Sequence, residues 1–222
     1  VSDEQLGPTE TSDTCTDWPV ELRGVTESVV ATLGPNDLWN FAALGLHASD
    51  PDASADDTDS VTATTWGNTR TRRNFHRQGG GVVQFVTDPR DFVAAAMTIT
   101  ESESPVFDSA DAWVEVEVSM VDSGEDGGTR WETWELTPVE AGITQTRPYT
   151  INRGFGAVID ATVAASRLDV PAFDTDELLS RLVYFAETVE KCGGPKEREA
   201  FARIDELTGW RERASERRNE SF

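Results

Sequence analysis

The chain has 222 residues, enough to bury one core with a small appendage, and it carries 19 Lys and Arg against 41 Asp and Glu, a formal net charge of -22. That balance excludes a nucleic-acid partner, whose phosphates the surface would repel. No apolar run reaches the roughly 20 residues that a membrane-spanning helix needs, and the 37% hydrophobic content includes seven Trp and ten Phe, whose large side chains compensate for its low share.

Residues 1–18 are polar and read as a disordered acidic tail, with order beginning near Trp18-Pro19. Gly24 to Leu33 is β-like, Gly34-Pro-Asn-Asp37 is a hairpin turn, and Leu38 to Ala48 is a second strand. An acidic loop at 49–59 leads to a third strand, Ser60 to Trp66. A turn at Gly67-Asn68 then opens a short helix that ends at Gly79-Gly80-Gly81.

Val82 to Val86 reads as a buried strand, and Asp88-Pro89 starts a helix with its apolar face at Phe92, Val93, Ala96 and Met97. From Ala112 to Val121, Trp113, Glu115, Glu117 and Ser119 interleave with Val114, Val116, Val118 and Met120, a half-buried strand. A Gly/Asp turn at 122–128 pairs it with Trp131 to Thr144. From Asn152 the period changes, predicting helices over 152–167, 175–192 and 196–213, then a polar tail at 214–222. The expected architecture is mainly β with α: an antiparallel barrel or sheet over 19–148, followed by a small three-helix unit over 149–213.

Within this frame one segment stands out: Thr69-Arg70-Thr71-Arg72-Arg73-Asn74, with His76 and Arg77 just beyond, in a chain where cations are scarce. Hydroxyls, guanidinium groups and free N–H groups at a helix start are what a phosphate monoester needs. The run equally reads as a solvated charged face that balances nearby carboxylates. Cys15, Cys192, His47 and His76 lack the spacing of a zinc site or of a disulfide framework.

The acidic residues crowd predicted loops, and Lys191 and Lys196 are the only lysines. Such a surface becomes tolerable when salt shortens the screening length, to about 3 Å at 1 M. In this it resembles cytoplasmic proteins of extremely halophilic archaea. The acidic first residues predict no secretory leader, so a cytoplasmic protein is expected.

The strings Glu27-Ser-Val-Val-Ala-Thr-Leu-Gly34, Asn40-Phe-Ala-Ala-Leu-Gly45 and Trp66-Gly-Asn-Thr-Arg-Thr-Arg-Arg-Asn74, followed by Gln84-Phe85 and Asp88, resemble an archaeal domain-of-unknown-function family. Its members look like flavin-reductase-type, FMN-binding split barrels of antiparallel Greek-key type. Asn152-Arg-Gly-Phe-Gly-Ala-Val-Ile-Asp-Ala and Ser166-Arg167-Leu168 resemble that family's helical appendage.

The resemblance implies FMN, its phosphate held by Thr69, Arg70, Thr71 and Asn74, with Arg72 or Arg73 as a supplementary cation. It implies the isoalloxazine along Asn40–Gly45, where Ala42, Ala43 and Gly45 admit a flat ring beside Leu44. Those small residues equally serve ordinary strand packing. His47 is a candidate donor to a flavin carbonyl, or a structural strand-end histidine. Trp66 is a candidate stacking partner, or a packed barrel tryptophan. Asn152 and Arg153 begin a helix expected to point toward the barrel.

The resemblance further implies a homodimer with FMN at the subunit interface and NAD(P)H or a protein as electron donor. A flavin-dependent oxidoreductase is the leading reading. A non-catalytic FMN-binding or storage module is an alternative, as is an enzyme on another phosphorylated or pterin-like ligand.

Overall fold

In the computed structural model, which describes residues 17–48 and 60–220, the hairpin expected around Gly34 joins β1 (Val25–Leu33) to β2 (Trp39–His47). The Gly34 N–H donates to the Leu38 carbonyl at 2.7 Å, and Asp37 takes a positive φ of 58° to close the turn. Acidic turn residues tolerate that conformation better than most. Next come β3 (Val61–Trp66), α1 (Arg70–Gln78), β4 (Gly80–Val86), α2 (Pro89–Met97) and the short β5 (Thr100–Ser102). A long hairpin, β6 (Ala110–Asp126) and β7 (Thr129–Ile143), completes the sheet. Its turn is tighter than the sequence implied: Gly127 and Gly128 both have positive φ, the geometry two-residue hairpins favour.

The strands are ordered β1-β4-β6-β7-β3-β2, and β2 pairs back along the whole of β1, so six strands close an antiparallel barrel. β2 is where the barrel is split. Its other edge takes β5 at Trp39–Phe41 and meets β3 only at His47↔Thr62. Among the described residues, no strand pairs with that edge between Ala42 and Leu46.

Strand alternation sorts the side chains. Val30, Leu44, Leu46, Val83, Val114, Val116, Trp134 and Leu136 fill the barrel. Phe75 of α1 joins them, 1% exposed, its ring edge-on to Trp134 at 5.2 Å. Burying such a ring stabilises by about 1.5–3 kcal/mol, and it anchors α1 across one end of the barrel. The outer face of β1, β2 and β4 (Val29, Ala31, Phe41, Val82) is covered by Phe92 and Ala95 of α2. Buried Gln84 secures the loop before β6, donating to the Pro105 carbonyl at 2.9 Å and accepting from the Phe107 N–H at 2.7 Å. Phe107 then stacks on Phe41 at 4.1 Å.

The helical unit comprises α3 (Arg153–Ala165), α4 (Thr175–Cys192), α5 (Pro195–Thr208) and α6 (Trp210–Glu220). A stripe of Ala157, Val158, Ala161 and Ala164 packs with Leu178, Leu182 and Phe185 of α4 and Phe201 and Ile204 of α5, and Val93 of α2 enters the same cluster. The expected third helix, 196–213, is two helices. Gly209 breaks it, with φ 61° and its N–H on the Asp205 carbonyl, as left-handed glycine caps do. α6 also runs through most of the segment read as a polar tail. The expected disordered tail, apart from Asp17 and Trp18, lies outside the described residues, as do Cys15 and the acidic loop 49–59.

Candidate functional site

Three local features set α1. Thr69 is its N-cap, accepting the Arg72 N–H at 3.2 Å. No acidic residue occupies its first turn. Gly79 closes it in the left-handed conformation, its N–H on the Phe75 carbonyl. Because Thr71 and Phe75 are buried, the helical period fixes where every other side chain of α1 points.

Toward β7, Arg72 and His76 converge on one carboxylate. Arg72 Nη2 lies 2.5 Å from Glu132 Oε1, and His76 Nε2 lies 2.7 Å from Oε2. Glu132 is buried, and its carboxyl is pulled down to about 2, first by the Arg72 hydrogen bond, against burial, and then by His76. Toward β1, buried Asn74 donates to Thr32 Oγ1 at 2.9 Å and Arg77 donates to the Leu33 carbonyl and to Asn74 Oδ1, each at 2.7 Å.

Arg70, Arg73 and Arg77 recur at the spacing of one helical face and line a cleft of about 380 Å³. The hairpin turn Gly34–Asn36, Asn40, Asn74 and Glu101 of β5 form the remainder of the wall. Arg70 Nη1 is 2.6 Å from Glu101 Oε1, and Arg73 Nη1 donates to the Asn68 carbonyl at 2.8 Å. A guanidinium has five donors, so each arginine keeps donors beyond these contacts. Three permanent cations on one face of α1, Arg70 and Arg73 in its first turns and Arg77 in its last, give the cleft the chemistry to attract an anion.

Of the residues singled out from sequence, Arg70, Arg73 and Asn74 line this cleft. Thr69 is occupied in capping, Thr71 is buried, and Arg72 is committed to Glu132. Asn36 and Glu101 were not singled out, while Arg77 was named only at the edge of the cationic run and Asn40 only as the start of the ring strand, neither as a phosphate ligand. The helical spacing from Arg70 could have found Arg77, but no sequence signal marks Glu101.

On β2, the alternation separates the ring-site residues. Ala43, Gly45 and His47 share the outer face, whereas Leu44 is buried in the barrel. Ala43 packs against the cluster under α2, and so does Ile159 of α3. His47 is exposed at the strand end. Across from Gly45 stands Glu27, its carboxyl raised by partial burial and by Asp160, with His47 opposing. Trp66 is 52% exposed, tilted against Trp131 at 6.5 Å, and is not part of the cleft wall.

The start of α3 faces the α4–α5 junction and not the cleft. Asn152 caps α3 by accepting from the Gly154 N–H at 2.7 Å and reaches Glu197 of α5 at 3.5 Å. Arg153 is exposed in the first turn of α3.

Comparison with known proteins matches this architecture. The FMN-bound protein MM1853 from Methanosarcina mazei superposes with a TM-score of 0.69 at 22% identity, covering 84% of this chain and 96% of that one. Flavoredoxin from Methanosarcina acetivorans gives 0.39 at 11% identity, covering 67% and 79%. The styrene monooxygenase flavin reductase of Pseudomonas putida S12 gives 0.37 at 9%, covering 57% and 93%. The match to MM1853 shows the fold to be the split barrel, here followed by the helical appendage that the resemblance implied. No curated protein matches the chain. The family model described as protein of unknown function (DUF447) N-terminal domain matches residues 26–145 and its companion, protein of unknown function (DUF447), matches 152–206, so both the barrel and the helical unit are covered and the chain belongs to the DUF447 family.

Proposed function

We propose that the protein is an FMN-binding flavoprotein and that the Arg70–Arg73–Arg77 cleft takes the FMN phosphate. The observation that carries this reading is the cleft itself: three arginines on one helix face, in a chain of net charge -22, around about 380 Å³ of open space. Pockets for small ligands span roughly 300–1,000 Å³. The split-barrel fold and the FMN bound by the similar MM1853 support it.

From Asn40 in the cleft wall, Ala43 and Gly45 lie about 10 and 17 Å farther along β2 at a strand's rise. The phosphate end is thereby assigned to the cleft and the ring to the β2 edge that carries no strand partner among the described residues. Unpaired edge amides and carbonyls are suited to the polar rim of a flat heterocycle. When bound, FMN supplies hydride or electron transfer. The protein's own groups anchor the phosphate and orient the ring.

The finer reading is a flavin-reductase-like oxidoreductase, cytoplasmic, adapted to high salt as in haloarchaea, and paired as a homodimer. The charge balance supports salt adaptation. The exposure of Trp66, Met120, Val121 and Ile143, all at least 50% open, supports a subunit interface. The test is spectroscopic: protein purified in molar salt should carry, or take up, one FMN with perturbed flavin bands. A colourless protein that takes up no FMN rejects the assignment. Bound FMN that NAD(P)H does not bleach rejects the nicotinamide-dependent reductase and leaves the flavoprotein.

A further inference from the structure

The cleft contains one group that an anion site does not need. Among the described residues, Glu101 is the sole carboxylate in its wall, held 2.6 Å from the guanidinium of Arg70. Its position is fixed by backbone: β5 pairs with β2 in the register Asn40↔Glu101, next to the other wall residue Asn40. A carboxylate beside a phosphate dianion costs like-charge repulsion, so a cleft shaped for a bare anion gains nothing from it. It gains from a carboxylate only when the ligand also brings O–H donors. An ionised carboxylate is acceptor-only, and Arg70 engages one oxygen of Glu101, Oε1. Asn36 and Asn40 in the same wall add amide groups that both donate and accept.

Resting on the FMN reading, we propose that Glu101 determines the ligand class of this cleft: a phosphorylated polyol chain, its phosphate on Arg70, Arg73 and Arg77 and its hydroxyls on Glu101 with Asn36 and Asn40. Glu101 thereby selects a polyol phosphate over inorganic phosphate and does not merely neutralise Arg70. Arg70 bridges the two functions, since its five donors allow it to hold Glu101 and a phosphate oxygen together. The ribityl phosphate arm of FMN is one member of this class.

The experiment measures dissociation constants of ribitol 5-phosphate, inorganic phosphate, riboflavin and FMN for the full chain at one fixed molar salt concentration, for wild type, Glu101→Ala and Glu101→Gln. The expected result is that wild type prefers ribitol 5-phosphate to inorganic phosphate. Glu101→Ala should weaken ribitol 5-phosphate about tenfold or more, the effect of a lost charge-assisted hydrogen bond. Inorganic phosphate should be unchanged or bind more tightly. Glu101→Gln, which keeps an acceptor oxygen without the charge, should fall between. Circular dichroism confirms that each variant is folded.

If wild type shows no preference between the two phosphates, or if Glu101→Ala tightens both equally, the proposal is overturned and Glu101 is only a counter-charge. The FMN assignment fails separately. A protein that prefers ribitol 5-phosphate but binds neither FMN nor riboflavin retains the polyol-phosphate site and loses the flavin.

Discussion

Arg72 and Arg73 are neighbours in the chain and serve opposite sides of α1. Arg72 passes inward to the buried carboxylate of Glu132, while Arg73, itself in the wall of the cleft, reaches back to Asn68. The helical period produces the divergence, and buried Phe75 sets its phase. One arginine is therefore held in a buried ion pair and the next faces the open cleft.

Substitution should separate them. Arg72→Ala leaves the Glu132 carboxylate buried without its guanidinium, with the His76 ring as its remaining side-chain partner, a mechanism that costs stability. Its thermal midpoint should fall, with FMN affinity within about twofold when titrated well below that midpoint. Arg73→Ala should do the reverse, weakening FMN about tenfold or more while moving the midpoint little. Thermal unfolding and fluorescence titration at one salt concentration check both. Equal loss of affinity in the two variants would place the phosphate elsewhere.

The same carboxylate predicts an acid limb in the stability curve. Glu132 has its folded value depressed from 4.5 to about 2 by Arg72 and His76. A depressed carboxyl stabilises the fold above its unfolded value and loses that contribution as pH falls through the folded one. Stability should therefore drop between about pH 4.5 and pH 2, read as urea midpoints at fixed salt. Glu132→Gln removes the titrating group and should flatten that limb while lowering the plateau at neutral pH. An unchanged slope would show that other carboxylates carry the acid response.

Much of this arrangement is legible in the sequence, and the gaps have physical reasons. The barrel strands show because their apolar residues alternate, as from Trp113 to Met120. β5 does not show: Thr100-Glu101-Ser102 is too short for a period, and its strand conformation comes from pairing with β2. The carboxylate in the cleft was hidden for that reason. The arginine run is visible as composition, but assigning each arginine needs the phase of α1, which depends on the contact of Phe75 with Trp134. At Gly209 the residues on both sides, Leu207-Thr208 before it and Trp210-Arg211 after it, sustain a helical pattern, and the left-handed conformation marks the break.

Barrel and helical unit are joined at Asp88. It caps α2 through the Arg90 N–H at 3.0 Å, pairs with the Arg90 side chain at 2.7 Å and meets Lys196 of α5 at 2.8 Å. These partners, Arg90 foremost, hold its carboxyl well below the usual carboxylate range. Asp88→Asn keeps a good cap and removes the charge, whereas Asp88→Ala removes both. The alanine variant should be less stable than the asparagine variant by about 0.5–2 kcal/mol, the value of the cap. Asp88→Asn should itself be less stable than wild type above pH 4, because the ion pairs are lost. Denaturant unfolding of the three proteins measures both steps. Identical stability of the two variants would assign the whole effect to charge.

Two glycines of α3, two residues apart, should respond to alanine with opposite signs. A Cβ on Gly154 would lie 2.5 Å from Gly193 Cα and 2.7 Å from its N. Those are backbone atoms at the end of α4, so relief requires the two helices to move apart. Overpacking of this kind costs about 1–3 kcal/mol. It also strains the Asn152 cap, which accepts from the Gly154 N–H. A Cβ on Gly156 meets nothing within 4 Å, and the residue is helical. There alanine restricts the unfolded chain and stabilises by about 0.4–1 kcal/mol. Urea unfolding at fixed salt should therefore show Gly154→Ala below wild type and Gly156→Ala above it. A neutral Gly154→Ala would mean that α3 and α4 approach less closely than the Gly154–Gly193 contact requires.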